Sequence, residues 1–127
     1  MGYRAGYTAG GDDNTFVGYG AGYSNANAYN VAIGSYASYY NQSGTKNVLV
    51  GYLAGTGSEG ASAYSNNTFI GSESGYSTTT GGNNVALGYQ AGYSNATGAG
   101  NVFLGYQAGY SETGSNKLYV EIGRAHV

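Results

Sequence analysis

Asn84-Val85-Ala86-Leu87-Gly88-Tyr89-Gln90-Ala91-Gly92-Tyr93-Ser94-Asn95-Ala96-Thr97-Gly98-Ala99-Gly100 is followed at once by Asn101-Val102-Phe103-Leu104-Gly105-Tyr106-Gln107-Ala108-Gly109-Tyr110-Ser111. The second stretch repeats the first. Working outward, the same unit starts at Asn14, Asn30, Asn47 and Asn67, with successive starts 16, 17, 20, 17 and 17 residues apart. A partial unit, Gly2 to Tyr7, matches Gly18 to Tyr23, and Lys117-Leu118-Tyr119-Val120 closes the series. The one long spacing comes from Gly57-Ser58-Glu59-Gly60-Ala61-Ser62, an insertion in the closing turn of its unit, where extra length costs little. A period of about 17 residues is too short for a helix pair or a propeller blade. It suits one coil of a parallel β-solenoid, stacked on the next at about 4.8 Å.

Aligning the units gives columns. The second position holds Thr15, Val31, Val48, Thr68, Val85, Val102 and Leu118, and the fourth holds Val17, Ile33, Val50, Ile70, Leu87, Leu104 and Val120. Two residues apart, they share one face of a strand, and β-branched side chains suit strands. They are expected to fill the coil interior, so that Leu87→Asp would abolish folding. The third position holds Phe16, Ala32, Leu49, Phe69, Ala86, Phe103 and Tyr119, also apolar and pointing the other way. A strand apolar on both faces is buried on both. Either a symmetric partner chain covers the third column, with Phe16, Phe69 and Phe103 at the interface, or one wider coil encloses both sets.

Gly follows each strand at Gly18, Gly34, Gly51, Gly71, Gly88 and Gly105, the mark of a corner. A second short segment follows, with a small-residue column (Ala21, Ala37, Ala54, Ser74, Ala91, Ala108) and, two positions on, Tyr23, Tyr39, Thr56, Tyr76, Tyr93 and Tyr110. Read as strand, it gives each coil two or three strands of roughly 4 residues. The fold expected is all-β: a parallel β-solenoid, or β-roll, of about seven coils over residues 1–121.

Composition narrows the function. The 127 residues include 25 Gly and 16 Tyr but no Cys, Pro or Trp, so disulfides and thiolate metal sites are excluded. Four basic residues against six acidic, net charge −2, do not make a nucleic-acid footprint. No apolar run is long enough to insert in a membrane. Such a composition also suits disordered prion-like chains, but the aliphatic columns keep phase from end to end. An ice-binding solenoid is disfavoured because Thr forms no regular column.

The units Asn30-Val31-Ala32-Ile33-Gly34 and Asn84-Val85-Ala86-Leu87-Gly88 resemble the head repeats of trimeric autotransporter adhesins. Asn101 to Tyr110 is equally similar to the Gly-Tyr-rich repeats of phage tail fibres. The resemblance covers about residues 2–120. It implies a left-handed β-roll, three identical chains side by side, and a role as shaft or adhesive head at a cell surface or on a virion. Against that pattern, Thr15 and Thr68 replace Val, the Gly-Tyr pairs are denser than in adhesin heads, and no coiled-coil heptads are present. Ile122-Gly123-Arg124-Ala125-His126-Val127 breaks the repeat and resembles a translated sequencing adapter. Residues 122–127 are therefore read as a non-native tail, and the chain as a piece of a longer environmental sequence.

No catalytic constellation emerges, and no enzyme, metal or cofactor is expected. The single His is His126, inside the tail. The acids Asp12, Asp13, Glu59, Glu73, Glu112 and Glu121 never recur in one column of adjacent coils, so no glycosidase-like pair forms. Gly10-Gly11-Asp12-Asp13 is read as a turn, and the recurring Asn as an internal amide ladder. Glycosylation triplets at Asn41, Asn66 and Asn95 are of the kind chance supplies in such a chain. Binding, if any, falls to Tyr19, Tyr52, Tyr89 and Tyr106, which follow the corner Gly and would face a ligand such as a surface glycan. The expected function is a structural repeat module of an extracellular fibre or adhesin, paired with itself as a homotrimer. The alternative is a glycan-binding module using those Tyr rows.

Overall fold

The computed structural model describes residues 2–123. Seven strands, each of three residues, form a single sheet: β1 Thr15–Val17, β2 Val31–Ile33, β3 Val48–Val50, β4 Thr68–Ile70, β5 Val85–Leu87, β6 Val102–Leu104 and β7 Leu118–Val120. They pair in sequence order, all parallel, and the register joins equivalent columns: Phe16 to Ala32 to Leu49 to Phe69 to Ala86 to Phe103 to Tyr119. The chain is a parallel β-solenoid of about six turns between its first and last strand. The insertion after Gly57 leaves this register untouched. The adapter-like residues 124–127, His126 among them, lie outside the described residues.

The strands are oriented opposite to the sequence-based expectation. The third column points inward: Ala32, Leu49, Phe69, Ala86 and Phe103 are buried. The second and fourth columns point out, with Leu87 46% exposed against 1% for Phe103. What opposes the inner face decides this. Across the coil from each Phe stands a glycine in the left-handed region. A Cβ at Gly22 would come within 2.5 Å of the Phe16 ring, and one at Gly92 within 2.6 Å of Phe103. The flat rings occupy the volume those glycines leave empty, and close packing follows. Where the third column is Ala32, the opposing position carries Ser38 instead of Gly.

Only one strand forms per coil. The second segment is a pair of turns, so Ala and Gly at consecutive positions both face inward and only the Tyr column faces out. The first turn closes with Ala21 N–H donating to Gly18 O and Ala91 N–H to Gly88 O, both 3.3 Å. Its third residue takes positive φ whatever its type: Tyr36 at 59°, Leu53 at 56°, Gln90 at 54°. The coils stay bonded through these turns, with Gly22 N–H to Ala37 O at 2.8 Å and Gly92 N–H to Ala108 O at 2.9 Å.

The amide ladder forms as expected. Asn30, Asn47, Asn67, Asn84 and Asn101 are buried. Each backbone N–H donates to the Oδ1 of the Asn one coil before, from Asn30 on Asn14 at 2.8 Å to Asn101 on Asn84 at 2.9 Å. Each Nδ2 donates to the carbonyl of its own closing turn: Asn47 to Tyr64 O, Asn67 to Gly81 O, Asn84 to Gly98 O. A second polar column that the sequence reading missed, Asn25, Asn41, Ser62, Thr78 and Asn95, is also buried. The acceptor triplets at Asn41 and Asn95 are therefore interior positions, while Asn66 is exposed.

Candidate functional site

Tyr19, Tyr52, Tyr89 and Tyr106 all stand exposed on the turn after the corner glycine. The corner fixes them there. Gly18 has φ 130°, and a Cβ on it would approach the Gly34 carbonyl carbon to 2.6 Å. Only glycine lets successive corners stack, so the next residue is thrown outward in every coil. The four do not form one strip. Tyr19 stacks on Tyr3 at 5.4 Å and Tyr89 on Tyr106 at 5.5 Å. Tyr52 is flanked in its row by Ser35 and Ser72, so it has no stacked ring there.

The second tyrosine column is the more regular. Tyr7, Tyr23 and Tyr39 stack at 5.1 and 4.7 Å, and Tyr76, Tyr93 and Tyr110 at 4.9 and 4.9 Å, with interplanar angles of 7 to 13°. These separations are the coil step itself, so the ring ladder follows directly from the backbone register. Arg4 caps its start, its guanidinium 5.3 Å from the Tyr3 ring centre and 5.5 Å from that of Tyr7. Partial burial among these rings holds the Tyr39 and Tyr93 phenols above their ordinary value.

Between Tyr39 and Tyr76 the ladder is broken, because Thr56 occupies that rung. A cavity of about 300 Å³ opens there, lined by Tyr36, Tyr39, Tyr40, Tyr52, Leu53, Thr56 and Tyr76. Of the four tyrosines singled out from sequence, only Tyr52 belongs to it. The signal for the others was available: a Tyr column with one Thr in it. It went unused because side-chain direction in a turn is not given by strand alternation.

A second hollow, of about 360 Å³, lies at the last coil between Tyr110, Glu112, Tyr119 and Glu121. Its Glu112 carboxylate accepts from Tyr119 Oη at 2.7 Å and from Gly114 N–H at 2.7 Å. The Tyr119 hydrogen bond, more than any other cause, holds that carboxyl below its ordinary value. Among the described residues, no group of three or more His, Cys, Asp or Glu gathers where a metal ion could bind. Compared with protein-family models, with curated proteins and with solved structures, the chain matches none.

Proposed function

We propose that the chain is a structural repeat module of an extracellular fibre or adhesin, assembling side by side with copies of itself as a homotrimer. The observation that carries this reading is the outward face of the sheet. Val17, Ile33, Val48, Ile70, Val85 and Leu87 are large, apolar and exposed. They lie in two straight columns along a sheet that rises about 29 Å over its six steps. With neighbouring side chains the strip covers on the order of 300 Å², in the range of the largest apolar patch on a monomer, which is often functional. A repeat that places an aliphatic outward in every coil fits a partner with the same repeat and step, which is a second copy. The interface of this proposal is thus the Val, Ile and Leu columns, and the Phe column fills the interior.

Sedimentation velocity tests it. The chain should run as a trimer at micromolar concentration, and Ile33→Lys with Leu87→Lys should give a folded monomer by circular dichroism. A wild-type monomer would overturn the proposal. Glycan binding along a continuous row of Tyr19, Tyr52, Tyr89 and Tyr106 is the weaker reading, because Ser35 and Ser72 interrupt that row.

A further inference from the structure

We infer that Tyr89 and Tyr106 are a site of oxidative phenol coupling, at which a peroxidase-type one-electron oxidant with hydrogen peroxide joins two consecutive coils through a biaryl bond. The two rings stack, with 5.5 Å between their centres and 21° between their planes. The backbone holds them in place: Gln107 N–H donates to Tyr89 O at 2.8 Å, and Gly105 N–H to Leu87 O at 2.8 Å. The side chains that follow are tied as well, with Gln107 Nε2 donating to Gln90 Oε1 at 2.8 Å. Two phenols are thus fixed one coil step apart, and a bond between them forms between held neighbours instead of by chance encounter.

Composition directs such an oxidant to tyrosine. The chain has no Cys and no Trp, and its one Met is Met1, so the usual thiol and thioether targets are missing or confined to the first residue. Exposure and packing then choose the pair. Tyr106 is 63% exposed and Tyr89 43%, and among the described residues neither ring packs against a third. Coupling joins the Cε carbons beside the hydroxyls, which stacked rings hold apart. A turn of both rings about χ2, a torsion with broad wells, brings their Cε edges together. Tyr93 lacks that freedom, because it is half-buried with Tyr76 on one face and Tyr110 on the other, both at 4.9 Å. Tyr3 and Tyr19 also stack, but further contacts hold them: Arg4 lies over Tyr3 at 5.3 Å, and Tyr36 meets Tyr19 edge-on at 5.3 Å. The guanidinium charge also opposes loss of an electron from the ring beside it.

The oxidant removes one electron from each phenol, and each phenolic proton leaves to water. The two phenoxyl radicals, whose unpaired spin reaches Cε, pair their electrons in one new Cε–Cε bond. Each joined carbon then loses its hydrogen as a proton while the oxygen of the same ring takes one up, and both phenols are restored. In sum the pair loses two hydrogens, and one hydrogen peroxide becomes two waters. The product closes a loop of one repeat between neighbouring coils. It restricts the unfolded chain as a disulfide would, in a sequence that has no Cys.

A haem peroxidase with limiting hydrogen peroxide, applied to the full chain at micromolar concentration, tests the site. Dityrosine fluorescence should appear in a product with the mass of one chain less two hydrogens. Thermolysin digestion and mass spectrometry should identify the principal link as Tyr89 to Tyr106. Tyr89→Phe and Tyr106→Phe should keep the fold by circular dichroism and abolish that link, and Tyr93→Phe should leave its yield unchanged. In urea, with the peroxidase shown to be active on free tyrosine, the yield of the link should fall at least tenfold, because the coil step is lost. The linked chain should also unfold at higher urea than the unlinked one. A principal link elsewhere, such as Tyr76 to Tyr93 or between two chains, would overturn the assignment, as would an equal yield in urea. Absence of dityrosine from the oxidised folded chain would overturn the site itself, and an unchanged urea midpoint would overturn its role as a staple. The link is read within one chain, so none of these outcomes depends on the oligomeric state.

Discussion

Glycine serves two separate purposes in this chain. At the corners, Gly88 has φ 137°, and a Cβ there would come within 2.7 Å of the Gly105 carbonyl carbon. The obstacle is backbone, which cannot step aside. Opposite the strands, Gly75, Gly92 and Gly109 leave room for the rings of Phe69 and Phe103. Both columns were visible in the sequence at fixed offsets from the repeating Asn, the second with Ser38 in one coil. Only the corner column announced its purpose, because a lone Gly after a strand has a local meaning. The other needed knowledge of what lay across the coil. Gly88→Ala is expected to destabilise by about 3 kcal/mol or more, since it adds a clash to a disfavoured φ. Ala99→Gly, in a closing turn, should cost less than about 1 kcal/mol. Chemical denaturation of the two variants measures the difference, and equal midpoints would refute the stacked-corner account.

At the scale of the strand, sequence pattern alone could not choose a face. Three apolar residues in a row satisfy either orientation, and the aliphatic regularity of the second and fourth columns favours the wrong one. That regularity reads as core, yet here it lies on the outer surface, where a uniform repeat serves a uniform partner. The interior column is irregular, Phe beside Ala beside Leu, because its gaps are filled locally: Tyr64, from the inserted coil, is fully buried near the shorter Leu49 and donates its hydroxyl to Gly55 O. The expectation that Leu87→Asp abolishes folding is thereby reversed. With Leu87 exposed, the Asp variant should retain its β signal and lose self-association, whereas Phe103→Ala should cost about 3–5 kcal/mol through the cavity it leaves. Circular dichroism and sedimentation together decide the matter. Unfolding of Leu87→Asp with tolerance of Phe103→Ala would restore the opposite orientation. The cavity lined by Thr56 was half legible for a similar reason. The substituted rung is plain in the aligned column, but the lining tyrosines come from both rows, and their meeting depends on turn geometry.

At the scale of the whole molecule, the solenoid is held by groups that do not titrate in the ordinary range. Its ladders are amides, hydroxyls and backbone, and among the described residues the buried polar side chains are Asn, Ser and Thr. Glu112, whose carboxyl is held low, adds stability above its ordinary value of 4.5 and loses it as the pH falls through the lowered one. It is part of the surface of the last coil, so acid should fray that end and spare the rest. Alkali is different. Burial pushes the Tyr64 phenol far above its ordinary value of 10.0, and burial likewise raises Tyr36, Tyr39, Tyr89 and Tyr93. A phenol with a raised folded-state pKa gives its full stabilisation below the unfolded value and loses it as the pH climbs toward the folded one. The β signal should therefore hold from about pH 4 to pH 9 and collapse above about pH 10. Tyr64→Phe provides the control. It removes the hydroxyl donated to Gly55 O, so near neutrality it should be less stable by about 1 kcal/mol. It also removes the largest alkaline liability, so its deficit against wild type should shrink as the pH passes 10. Urea midpoints of both proteins at pH 8 and pH 11 measure this. A deficit that stays constant across that range would show that ionisation of the buried phenol is not what limits the solenoid in alkali.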